Sequence, residues 1–133
     1  MSWDVLLLRL PDECASVQDL PDGWMPPPLG HQHEVLAAVT HAAPAAGLTD
    51  PHWGELCGPG WSMELNIGPQ DPVESVMLHI RGGGDVLACI LDLAQALACK
   101  ALDCSTGDLL TPDNRSGWHA FQDYRDRATG PGL

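Results

Sequence analysis

The chain has 133 residues, 44% hydrophobic and 18% charged, a globular balance that excludes a disordered polymer and fits one domain, 1–133, able to bury a core without staples. Six Lys and Arg against 18 Asp and Glu give a net charge of −12, and protonating all six His would still leave about −6. Such a surface repels phosphate backbones and anionic lipid, which argues against nucleic-acid and membrane binding and favours a basic protein partner or a cation.

Residues 3–10 form a dense Val and Leu run bounded by Pro11, and they read as a buried, central strand. Residues 11–29 combine Pro11, Pro21 and the triplet 26–28 with Asp12, Glu13, Asp19 and Asp22, the composition of an acidic, partly extended loop. Val35, Leu36, Val39 and Ala43 recur at helical spacing, so residues 30–43 form the first helix, closed by Pro44. After the turn at Asp50 and Pro51, residues 54–57 and 61–67 flank Gly58-Pro59-Gly60 as a hairpin.

In the second hairpin strand Trp61, Met63, Leu65 and Ile67 alternate with Ser62, Glu64 and Asn66, which makes it half-buried. Residues 73–81 repeat that alternation, with Val76, Leu78 and Ile80 opposite Met77, His79 and Arg81. Three glycines and Asp85, a predicted N-cap, lead into a helix over 86–100 striped by Val86, Ile90, Leu93, Ala94 and Leu97. A short strand over 101–105, a turn at 106–108, a last helix over 116–128 and a loose tail complete the chain.

The predicted class is α+β, in the order βαβββαβα: a mixed, mostly antiparallel sheet of about five strands with two to three helices on one face. The strand, helix, strand unit of 73–105 is expected to cross over and set its two strands parallel. Five cysteines with no C-x-x-C pair disfavour disulfides and zinc knuckles, and the acidic start with its short apolar run disfavours a signal peptide or membrane span. The expected compartment is a reducing cytoplasm, with the thiols acting as small buried hydrophobes.

Covering one sheet face leaves Glu64, His79 and Arg81 on the other, with Asp103 and Ser105 as further members of the cluster. A carboxylate, an imidazole and a guanidinium together can grip a partner or perform acid/base chemistry. His31, His33, His41 and Glu34 raise a metal site, but residues two apart on one helix point in nearly opposite directions, and no metal or other cofactor is expected. Gly82-Gly83-Gly84 lacks the spacing and the Lys of a phosphate loop and reads as a tight turn. Trp24, in the acidic loop, and Trp53, just before the hairpin, are candidate interface anchors.

The segments MSWDVLLLRLP at 1–11, SVMLHIRGGGD at 75–85, LDCSTGD at 102–108 and FQDYRDR at 121–127 resemble those of a group of small uncharacterised bacterial proteins. Size and acidity are similar to those of the immunity proteins that neutralise secreted toxins. That resemblance implies an inhibitor, not an enzyme, that masks the basic active site of a toxin domain. The surfaces expected to do so are the acidic loop, with Asp12, Glu13, Asp19, Asp22 and Trp24, and the sheet face, with Glu64, His79, Arg81 and Asp103. A small hydrolase-like enzyme built on the sheet-face cluster is the alternative.

Overall fold

The computed structural model describes residues 2–114 and 116–129. In chain order the elements are β1 (Trp3–Leu8), a 3-10 turn (Val17–Asp19), α1 (Gln32–Ala42), β2 (Gly47–Asp50), β3 (Trp53–Gly58), β4 (Trp61–Asn66), β5 (Val76–Gly82), α2 (Leu87–Ala96), β6 (Lys100–Asp103) and α3 (Ser116–Thr129). The class is α+β. The six strands lie in the order β2-β3-β4-β5-β1-β6, every neighbouring pair antiparallel.

Period-two alternation sets the core face. Trp3 pairs with Ile80 and Ile80 with Met63; Val5 pairs with Leu78 and Leu78 with Leu65; Leu7 pairs with Val76. These side chains are buried, and Val35 and Val39 of α1, Leu87, Ile90 and Leu93 of α2 and Trp118 of α3 complete the same cluster. All three helices therefore cover one face. Each fully buried aliphatic side chain contributes about 1.5–3 kcal/mol, so the stripe on α2 is a main source of its helicity.

Four differences from the sequence expectation have local causes. The sheet gains β2, a four-residue edge strand that follows Pro44 and precedes Pro51; it holds its place by packing Leu48 over Gly54, where a Cβ would come within 2.7 Å of Leu48 Cδ2. The strands of the 73–105 unit, β5 and β6, do run in the same direction, but β1 lies between them, so they are not paired neighbours. That is the central position its two apolar faces required. The helix α2 starts at Leu87 with Val86 in the N-cap position, which displaces Asp85 from that role, and it stops at Ala96 because Ala98 turns left-handed at φ 51°. Of the predicted loose tail over 129–133, Thr129 is instead the last residue of α3, and 130–133 lie outside the described residues.

The acidic segment is more ordered than an extended loop. Ser16 N-caps the 3-10 turn, and the Asp19 carboxylate accepts from the amides of Ala15 and Ser16 at 3.0 and 3.1 Å. Val17 N and Leu109 N bond the carbonyls of Gly107 and Ala15, which attaches this stretch to the 107–110 segment, itself paired beside β6. Gly30 and Val73 bridge at the far end of the loop.

The three glycines at the end of β5 form a seat for α3. Gly82 and Gly84 have φ of 95° and 89°, and a Cβ on Gly82 would collide with the Gly60 carbonyl. Trp118 Nε1 donates to Gly84 O at 3.0 Å and Gln122 Nε2 to Gly82 O at 2.9 Å. Carbonyls freed by the turn thus anchor the last helix.

Candidate functional site: the open face of the sheet

The strand positions between the core residues point away from the helices and form rows across the sheet. In one row Glu55 of β3 faces Glu64 of β4, Glu64 faces His79 of β5, and His79 faces Asp4 of β1. In the next, Trp53, Asn66, Met77, Leu6 and Leu102 follow one another from β3 to β6. Ser62 and Arg81 pair in a third. The face is half polar and half apolar.

Two side-chain pairs organise the polar rows. His79 Nδ1 lies 2.9 Å from Asp4 Oδ1, which also accepts from Ser2 Oγ at 2.8 Å. Burial pushes the Asp4 carboxyl up, but the His79 and Ser2 hydrogen bonds and the charges of His79 and Arg81 outweigh it and hold Asp4 below the usual aspartate value. Arg81 Nη1 donates to Glu64 Oε1 at 3.0 Å, an exposed pair worth under about 1 kcal/mol. The Trp53 indole stacks with the His79 ring at a centroid distance of 6.2 Å and stays 37% exposed.

Glu55 and Glu64 are like charges directly opposite one another, an arrangement that costs roughly 0.2–1 kcal/mol. Arg81 offsets it at Glu64 only. Glu55 has no hydrogen bond or ion pair among the described residues.

Of the predicted cluster, Glu64, His79 and Arg81 meet on this face. Asp103 does not. It lies opposite Val5 on the helix side, 1% exposed, where it accepts from Trp3 Nε1 at 3.2 Å and from Ser105 N and Oγ at 2.8 and 2.6 Å. Its Oδ2 fills the space that a Cβ on Gly117, in the first turn of α3, would occupy. Asp103 is therefore a structural post beneath α3, and the open-face carboxylate beside His79 is Asp4. Asp4 was hidden by a strand whose apolar residues occupy both faces; Trp53 and Glu55 become visible once Gly54 and Leu56 are taken as the buried phase of β3.

The acidic loop divides. Asp12, Glu13 and Asp22 are exposed, Asp19 is committed to its capping role, and Trp24 is half-buried. Lys100 Nζ donates to the carbonyls of Pro11 and Asp12 at 2.8 and 2.9 Å, which fixes the start of the loop. Beside it, between α2, β6 and the 109–114 segment, is an apolar cleft of about 520 Å³ whose lining includes Cys14, Leu91, Cys99 and Leu110.

The histidines do not assemble a metal site: among the described residues no group of three or more His, Cys, Asp or Glu is placed to hold an ion. His31 takes the extended N-cap conformation, so its ring stacks on His33 at 6.0 Å instead of pointing away, and it bonds Asp71 at 3.1 Å. The Cys104 thiol, next to Asp4, is pushed up by burial and by the Asp4 and Asp103 charges, the reverse of an activated nucleophile.

No helix among the described residues is long and apolar enough to cross a membrane. No protein-family model matches the chain, and no curated protein matches it.

Proposed function

We propose that this protein is a binding module that neutralises a basic protein partner, as immunity proteins do toxins, and that the open sheet face is the surface that docks. The observation that carries this reading is the placement of Glu55, Glu64 and Asp4 with the exposed Trp53 on the one sheet face that no helix covers. A face that sets three carboxylates beside apolar side chains and an aromatic anchor suits a folded partner with a basic active site, and complementary charge accelerates association. The exposed Asp12, Glu13 and Asp22 extend the negative field and steer the encounter. The cytoplasm, where such an inhibitor protects its own cell, is the proposed site of action.

The test is co-expression with the protein encoded by the adjoining gene. Growth arrest by that protein alone, relieved by this chain and not by its Glu64→Lys variant, supports the reading. Relief by neither, or equal relief by both, counts against it.

An enzymatic reading draws on one observation, the Asp4–His79 pair, which has the form of a general base and its orienting carboxylate. It predicts turnover of an ester substrate that His79→Gln abolishes.

A further inference from the structure

We infer that the open face recognises its partner through an arginine, held between the Trp53 indole and the Glu55 carboxylate. This rests on the docking reading above and specifies its chemistry.

Trp53 and Glu55 are two residues apart on β3 and point to the same side of the sheet. The indole is fixed by its stack with His79 at 6.2 Å and 24°, and yet 37% of Trp53 is exposed. Glu55 is flanked by Gly47 on β2, which offers no side chain, and by Glu64 on β4, which repels it. The two other carboxylates of the row have internal partners: Glu64 pairs with Arg81, and Asp4 hydrogen-bonds with His79. Among the described residues Glu55 alone in the row has no such partner, and it lies beside the exposed Trp53 indole.

A cation from outside completes the row, and the ring selects its kind. A guanidinium is planar and weakly hydrated; it can stack on an indole and still give two parallel N–H groups to a carboxylate at the ring's edge. A lysine ammonium satisfies the charge but stays hydrated and cannot stack as a plane. The net charge of −12 supplies the long-range attraction, while the Trp53 and Glu55 pair supplies the discrimination.

The experiment is a titration of the isotopically labelled full chain with two tripeptides, Ac-Gly-Arg-Gly-NH2 and Ac-Gly-Lys-Gly-NH2, followed by amide and indole resonances. The arginine peptide should shift the Trp53 indole N–H and the Glu55 amide saturably, with an affinity at least about fivefold above that of the lysine peptide. Glu55→Gln, an exposed substitution that leaves the core untouched, should weaken the arginine peptide about threefold or more, and Trp53→Ala should remove the preference over lysine. Equal affinities for the two peptides, or no saturable shift at Trp53, would overturn the inference. Shifts confined to residues 11–22 would also overturn it while leaving a basic partner in place, and the co-expression assay judges that broader reading separately.

Discussion

Asp4 and His79 stand directly across the β1–β5 pair, and their side chains meet at 2.9 Å on the uncovered face. The contact ties the first strand to the centre of the sheet through a carboxylate held below its usual value. Its stabilisation is fully present above the unfolded aspartate value of about 4 and is lost as pH falls through the lower native one. Urea titrations of wild type and Asp4→Asn should therefore differ at neutral pH and converge in acid below pH 4. A gap that widens on acidification would contradict the assignment.

The glycine seat of α3 predicts a contrast between neighbours. Gly82→Ala places a methyl against the Gly60 carbonyl in a left-handed conformation and should cost roughly 2–3 kcal/mol. In Gly83→Ala the nearest atoms to the new methyl are the ends of the Gln122 and Arg125 side chains, which can shift, and the cost should be less than about 1 kcal/mol. Denaturation midpoints of the two variants decide it.

Ala98 carries the left-handed turn that ends α2, a geometry that penalises any residue with a Cβ. Ala98→Gly removes that penalty but loosens the unfolded chain, and the net gain should be roughly 0.5 kcal/mol. The urea midpoint should rise at an unchanged slope.

Asp103→Ala leaves the Trp3 indole N–H and the Ser105 groups without their acceptor and should cost about 1–3 kcal/mol. The change in tryptophan fluorescence should report loosening at Trp3, whereas binding of the arginine tripeptide by the folded fraction should not alter.

The same residues show what the sequence could and could not disclose. In β4 and β5 polarity follows the pleat, so alternation alone assigns Glu64, His79 and Arg81 to one face. In β6 polarity runs against it: apolar Leu102 points outward and Asp103 inward, because Trp3, Ser105 and Gly117 close around that carboxylate from 2 to 100 residues away. No local pattern encodes such a contact. The glycine triplet likewise looks like a turn until Trp118 and Gln122, 34 and 40 residues on, bond its carbonyls. The edge strand β2 offers four residues, two of them Gly and Asp, too few for a periodic signal.

The most direct test of the docking surface is capture by charge-reversed chains. Tagged wild type, Glu55→Lys/Glu64→Lys and Asp12→Lys/Asp22→Lys are each used to recover the adjoining gene's product at fixed salt. The open-face variant should lose the partner by at least about tenfold, while the loop variant should bind more slowly and still hold it. Full retention by the open-face variant, with loss by the loop variant, would move the binding surface off the sheet and contradict the account.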